Sequence, residues 1–114
     1  VFARLKGSPG CDEVAAALAN WRPAAGARNL PSAPAKPLRL HEDPCRPQPR
    51  LDAGEAGGMT VSVGPVRLDP VYGHRFTLVV HNTLRGAAGA ALMNAELVLQ
   101  SGHLEAESRA RRSA

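Results

Sequence analysis

Apolar residues recur with a helical period between positions 83 and 100. They define one face of a predicted helix, made of Leu84, Ala87, Ala88, Ala91, Leu92, Ala95, Val98 and Leu99. Gly86 and Gly89 lie inside this segment, although a glycine in a helix interior costs about 1 kcal/mol relative to alanine. The pattern therefore predicts a helix that approaches a neighbouring surface too closely to carry large side chains.

A second helix is predicted over residues 11–22, with acidic residues in its first turn and Pro23 as its stop signal. Val14, Leu18 and Trp21 fall on one face of this helix. We expect these three side chains to form its buried stripe.

Alternating apolar and polar residues predict strands over residues 1–6, 38–42, 58–68 and 74–81. Residues 69–73 join the last two as a hairpin loop, and Pro65 predicts a bulge or an edge position. Prolines are concentrated between Pro23 and Gly58, which predicts a long, stiff loop. The expected fold is therefore α+β, with a mostly antiparallel or mixed sheet covered by helices on one face.

The length of 114 residues allows one domain, and aromatic residues make up only 4% of it, so few large core anchors are available. The net charge of +4 does not indicate nucleic-acid binding, because the basic residues are dispersed and not interleaved with aromatics. The apolar runs are too short to suggest a membrane span. Residues 103–114 are expected to form a solvated basic tail.

The cysteines and histidines do not follow a recognised spacing. Cys11 and Cys45 match neither a disulfide framework nor a metal motif, and an unpaired loop thiol is the simplest interpretation of Cys45. The four histidines are scattered without a cysteine or carboxylate at ligand spacing. The sequence therefore predicts no metal site.

Three blocks carry a family resemblance: NLPSAPAKPLRLHEDPCRPQPRLD (29–52), GGMTVSVG (57–64) and HNTLRGAAGAALMNAEL (81–97). In this order they resemble the C-terminal part of aspartate-semialdehyde dehydrogenases of the archaeal and fungal branch. The resemblance implies that residues 1–102 are the dimerisation-type portion, which forms homo-oligomers through its sheet. It also implies that the last helix packs onto a nucleotide-binding domain absent from this sequence.

Such enzymes are cytoplasmic and reduce L-aspartyl 4-phosphate with NADP as cofactor, by attack of a cysteine thiolate, hydride transfer and acid/base catalysis by a histidine. In the family these groups and the dinucleotide-binding turn lie upstream of the matched region. The resemblance therefore implies that this chain holds no catalytic residue. On its own it is not expected to bind NADP tightly.

The resemblance places Asn82 at a cofactor contact, with Thr83 beside it, because the N-terminus of the last helix lies near the nicotinamide in the family. The alternative is that Asn82 or Thr83 only caps this helix. One departure from the family is Pro65, which stands where an arginine is usual. That departure puts in doubt any contact the arginine makes at the site or the subunit interface.

Two other interpretations remain open at this point. The chain could be a stand-alone, non-catalytic dimerisation or interaction remnant. It could also be a fragment of a related malonyl- or succinyl-CoA reductase, which shares the fold. Neither a nucleic acid nor a membrane is an expected partner.

Overall fold

The computed structural model describes residues 1–102, so the predicted tail lies outside the described residues. The strands are β1 (Phe2–Ala3), β2 (Leu38–Leu40), β3 (Val61–Val63), β4 (Arg67–Asp69), β5 (Gly73–Arg75) and β6 (Leu78–Val79). The α-helices are α1 (Cys11–Ala19), α2 (Ala25–Arg28), α3 (Pro49–Asp52) and α4 (Gly89–Gln100). A 3-10 turn covers Glu55–Gly58, and a π-helical turn covers Leu84–Ala88 and leads into α4.

The predicted α+β class is confirmed, and the strands form two three-stranded sheets. One has the order β1–β5–β4 and is antiparallel, whereas the other has the order β2–β3–β6 and is mixed, since β2 and β3 run parallel. The strand predicted over residues 58–68 with a bulge or edge position at Pro65 is instead split there, because the chain leaves β3 for β4 of the other sheet. The prediction of one strand over residues 74–81 is wrong, because the chain changes sheets again between β5 and β6.

The predicted hairpin between β4 and β5 is confirmed. The Asp69 carboxylate closes the turn by accepting hydrogen bonds from the backbone N–H of Val71 at 3.0 Å and of Tyr72 at 2.8 Å. Gly73 follows at φ +88°, a conformation that glycine adopts without a Cβ penalty.

Helix α1 begins where it was predicted but ends at Ala19, three residues before the predicted end at Arg22. The Asn20 backbone N–H still donates to the Ala16 carbonyl at 3.0 Å, but the next N–H, that of Trp21, bonds only three residues back, to Leu18 at 3.3 Å, so the helix tightens and ends. Val14 is buried as expected, whereas Trp21 lies beyond the helix and is 46% exposed. The predicted buried stripe is therefore wrong at Trp21.

The proline-rich stretch is more ordered than a loop. It contains α2, β2, α3 and the 3-10 turn, and Pro49 occupies the first turn of α3, where its missing N–H needs no partner. Ala56 and Gly57 adopt left-handed backbone angles, with φ of +49° and +64°. This kink turns the chain from α3 into β3.

The described residues bury little apolar surface. Only Val14, Leu30 and Val63 form the buried hydrophobic set, whereas five polar residues are buried: His41, Asp52, Thr60, Ser62 and His74. Helix α4 has no buried residue, and the apolar face predicted for it is exposed, with Leu99 at 65%. The radius of gyration is 18.1 Å, against about 13 Å for a compact 100-residue domain. No helix in the described part of the chain could cross a bilayer.

The small residues of the last helix have a neighbour within this chain. A Cβ on Gly89 would lie 2.2 Å from Met59 Sδ, and one on Gly86 would lie 3.3 Å from Asn82 Oδ1. Gly89 therefore makes room for the Met59 side chain of the same chain, the close neighbour that the sequence predicted for this helix.

Candidate functional site

The segment His81–Leu84, here called the Asn82 turn, connects β6 to the last helix. The His81 ring caps this helix, since its Nδ1 accepts a hydrogen bond from the Leu84 backbone N–H at 3.2 Å. The His81 and Thr83 carbonyls accept from Gly86 N–H and Ala88 N–H at 3.1 and 2.9 Å. Both bonds join residues five apart, so the first turn is π-helical, a geometry found frequently at functional sites.

Asn82 and Thr83 present their side chains to solvent at this helix N-terminus. Thr83 makes no side-chain capping bond, and neither side chain has a hydrogen-bond partner within residues 1–102. The capping role considered for them is filled by His81. The Asn82 amide is thus left with a donor and an acceptor for a ligand, beside the positive end of the helix dipole.

Gly58 packs closely against the Asn82 turn. It is buried at φ +80°, and a Cβ there would lie 2.8 Å from Leu84 Cδ1 and 3.1 Å from His81 Cγ. The close approach ties the turn to the 3-10 segment that begins at Glu55. The position of Asn82 therefore depends on how residues 52–58 are held.

A buried ion-pair network, here called the Asp52 cluster (His41, Arg46 and Asp52), holds that segment. Asp52 is 2% exposed and accepts hydrogen bonds from Arg46 Nε at 2.9 Å, from Arg46 Nη2, and from the Gln48 backbone N–H at 2.6 Å. His41 Nε2 lies 3.6 Å from Asp52 Oδ1 and has no hydrogen-bond partner among the described residues. Sequence reasoning missed this cluster because Arg46 and Asp52 lie in the presumed loop, whereas His41 was placed in a predicted strand. The signal available in the sequence was an arginine and an aspartate, Arg46 and Asp52, on either side of Pro49, which could have indicated an ion pair.

Arg46 and Asp52 each stabilise the charged form of the other. The Arg46 hydrogen bond holds the pKa of Asp52 well below its usual range, and the Gln48 N–H adds to this, although burial acts in the opposite direction. The same bond raises the pKa of Arg46. Asp52 is therefore a fixed carboxylate and not a candidate proton donor.

The structure brings together one group with the geometry of a metal site. Ligand atoms of His41, Asp52 and Glu55 lie within 4.8 Å of one another, which the sequence spacing did not predict. Both Asp52 oxygens already accept from Arg46, and Glu55 Oε1 accepts from Arg39 Nη1 at 3.0 Å. The two guanidinium groups neutralise the carboxylates, so we assign no metal here.

The remaining candidate positions lie apart from this arrangement. Cys11 is half-buried and Cys45 is exposed, and both are free thiols. Pro65, the position that departs from the family, follows the buried Gly64 at the crossing between the two sheets. The nearby Arg67 Nη2 donates to the Pro44 carbonyl at 3.3 Å.

The chain was compared with known proteins. A search of family models gave no match. The chain is 43% identical over 100 residues to an aspartate-semialdehyde dehydrogenase of Methanothermobacter thermautotrophicus, covering 86% of this chain and 29% of that protein. It is 38% identical over 109 residues to the enzyme of Aspergillus fumigatus, covering 91% of this chain and 30% of that protein.

A solved structure agrees with these matches. The crystal structure of Candida albicans aspartate-semialdehyde dehydrogenase with NADP superimposes with a TM-score of 0.71 at 35% identity, over 83% of this chain and 27% of that chain. The chain thus spans about 30% of the length of these relatives. The predicted resemblance is confirmed, and the chain belongs to the aspartate-semialdehyde dehydrogenase family.

Proposed function

We propose that residues 1–102 form the C-terminal, dimerisation-type portion of an NADP-dependent aspartate-semialdehyde dehydrogenase. The parent enzyme would carry out the reductive dephosphorylation of L-aspartyl 4-phosphate, with its nucleophile and acid/base supplied by other parts of the protein. The observation that carries the proposal is the match, at TM-score 0.71 and 35% identity, to a family structure that contains NADP.

Asn82 and Thr83 are the residues of this chain that we assign to NADP. Their side chains are exposed and have no partner within residues 1–102, so the turn fits a ligand with hydrogen-bonding groups. The Asn82 amide would donate and accept, and the Thr83 hydroxyl would add a second polar contact. NADP, when bound, supplies the hydride chemistry. The His81 cap and Gly58 keep the turn in place.

Two exposed apolar surfaces support a role in assembly. Helix α4 exposes Leu92 and Leu99, which favours packing onto the nucleotide-binding domain of the parent protein. On the face of the β1–β5–β4 sheet opposite Arg67, Leu68 is 73% exposed, and Val71 of the hairpin is 61% exposed. We assign this second surface to a homo-oligomer contact formed through the sheet.

A chimera tests the proposed function. Residues 1–102 replace the matching segment of the Methanothermobacter relative, and phosphate-dependent oxidation of aspartate semialdehyde with NADP is measured. We expect the chimera to be active, whereas the 114-residue chain alone has no activity, since it lacks a nucleophile and dinucleotide turn. A folded but inactive chimera, or turnover by the isolated chain that disappears when Cys11 and Cys45 are replaced, would contradict the proposal.

Asn82→Ala in this chimera tests the cofactor contact. Loss of one hydrogen bond to a neutral group is worth about 0.5–1.5 kcal/mol, so we expect NADP affinity to fall by a factor of about 2 to 13. Turnover falls further if the nicotinamide is displaced from its hydride-transfer geometry. Asn94→Ala is the matched control, because Asn94 is an exposed asparagine in α4.

The measurements are the NADP dissociation constant, kcat and the melting temperature of each variant. Because His81 caps the helix, Asn82→Ala should leave the melting temperature near that of the Asn94→Ala control. If Asn82→Ala instead lowers the melting temperature, by an amount that corresponds to about 1 kcal/mol in the free energy of unfolding, and leaves affinity and turnover unchanged, Asn82 is a structural cap only.

A further inference from the structure

One face of the β1–β5–β4 sheet carries two arginines opposite each other. Arg67 of β4 and Arg75 of β5 are register partners, and both side chains are exposed. Like charges directly across an antiparallel pair are destabilising. Within the described residues neither guanidinium contacts a carboxylate, and the protein contact of Arg67 is to the Pro44 carbonyl.

The nearest acid on the same face does not neutralise them. Asp69 lies two residues after Arg67, and its Oδ1 accepts the Val71 and Tyr72 N–H groups of the hairpin turn. This oxygen is therefore committed to the backbone of the turn, and in the described part of the chain Asp69 forms no salt bridge with either arginine.

Arg67 and Arg75 line one cavity of about 310 Å³, together with Arg46. Its wall also includes Phe2, Pro44 and Phe76 and contains no acidic side chain from the described residues. The charge of Arg46 is balanced by Asp52, and the Val1 ammonium, also at the cavity, donates to the Phe76 carbonyl at 2.8 Å, so the side-chain charge without a carboxylate partner comes from the pair on the sheet.

We propose that this cavity binds an oxyanion, the phosphate or carboxylate group of a small ligand, between Arg67 and Arg75. Planar guanidinium groups present parallel N–H donors that match two oxygens of such a group. A bound oxyanion would also remove the repulsion between the two strands. Arg46, fixed by Asp52, forms the rim and places the Pro44 loop that Arg67 contacts.

Arginine labelling of the full 114-residue chain tests this site. The rate of phenylglyoxal modification at each arginine is followed by peptide mass spectrometry, in inorganic phosphate, acetate or chloride at equal ionic strength. We expect phosphate to slow modification of Arg67 and Arg75 together and to leave Arg50 unchanged, since Arg50 lies on α3 outside the cavity. Protection by acetate as well would mark a general oxyanion site, whereas protection by phosphate alone would mark a phosphate site.

Variants make the test specific. Arg75→Gln should weaken phosphate protection of Arg67 by about tenfold or more, because a charged hydrogen bond is lost, and Arg50→Gln should not change it. Equal protection in chloride would mean simple screening, and would overturn the proposal. If Arg67 and Arg75 are unreactive in every buffer, protein covers this face of the sheet, and that result would also overturn the proposal. Neither result bears on Asn82, because the readout uses neither NADP nor turnover.

Discussion

Asp52→Asn is expected to destabilise residues 38–64 more than the replacement of any other single Asp or Glu in the described chain. Asp52 is almost fully buried and accepts both Arg46 hydrogen bonds and the Gln48 N–H. An asparagine keeps one acceptor, turns a donor toward the guanidinium, and leaves the Arg46 charge without its partner. Breaking a buried pair from one side is strongly destabilising for this reason.

Hydrogen exchange in the active chimera measures this effect region by region. We expect amides of β2, α3 and β3 to lose most of their protection in Asp52→Asn. The matched control is Asp43→Asn, because Asp43 is exposed and accepts one backbone N–H, that of Cys45, at 2.8 Å. Equal loss of protection in the two variants would show that the Asp52 cluster does not organise this segment.

The same carboxylate predicts an acid-sensitive fold. The pKa of Asp52 lies below its ordinary value of 3.8, chiefly because Arg46 donates to the ionised form. A group with a depressed folded pKa stabilises the protein above its unfolded pKa and loses this contribution as the pH falls through the folded pKa. Protection of β2 and β3 in the parent chimera should therefore stay level above about pH 5, begin to fall near the ordinary carboxyl value of 3.8, and go on falling as the pH is lowered toward the folded pKa of Asp52. In Asp52→Asn this part of the pH dependence should be absent.

The sequence predicted those elements whose signals are local. The acidic first turn of α1, the Asp69 hairpin with Gly73 and the helical period after Thr83 each depend on neighbours within a few residues, and each was located correctly. The end of α1 was missed because the chain tightens at the Trp21-to-Leu18 backbone bond, which apolar spacing does not report.

The two sheets and the Asp52 cluster depend on contacts between distant segments. The run from His74 to His81 alternates as one strand, but Phe76 and Thr77 carry the chain from one sheet to the other. His41 reaches Asp52 because β2 pairs with β3, a parallel pairing that the local pattern of residues 38–42 does not specify. The residues predicted for the packed face of α4 are exposed, and its half-buried positions are instead Gly89, Ala90, Met93 and Glu96. The period of apolar residues predicts which residues share one face of a helix, but it does not predict which surface packs against that face.

Asn82 shows what the resemblance added. The cofactor contact came only from the family resemblance, with a helix cap by Asn82 or Thr83 as the alternative. The structure assigns the cap to His81, whose ring occupies the Leu84 N–H. The cofactor role of Asn82 stays a prediction, to be decided by the affinity and turnover of Asn82→Ala.

Gly64→Ala is expected to disrupt the crossing between the two sheets. A Cβ at Gly64 would lie 2.7 Å from the Arg46 carbonyl oxygen and 3.0 Å from Pro47 Cδ. The crowded groups are backbone and a proline ring, so they cannot rotate away as a flexible side chain could. Backbone hydrogen bonds of 2.8 Å from His41 to Val63 and from Gly64 to Thr77 hold the strand from both sides.

Overpacking of a tight site typically costs about 1–3 kcal/mol, and we expect Gly64→Ala to fall in this range. Because the clash displaces the Arg46 backbone, it should also release Asp52, so the loss of exchange protection should extend from β3 into α3. Gly54→Ala is the matched control, since a Cβ there meets no atom within 4 Å and its φ of −88° suits alanine. That control should be neutral or stabilising by about 0.4–1 kcal/mol, through the lower entropy of the unfolded chain. Equal melting temperatures for Gly64→Ala and Gly54→Ala would mean that the chain at the sheet crossing relaxes freely, and that contact with Arg46 does not fix the Asp52 cluster.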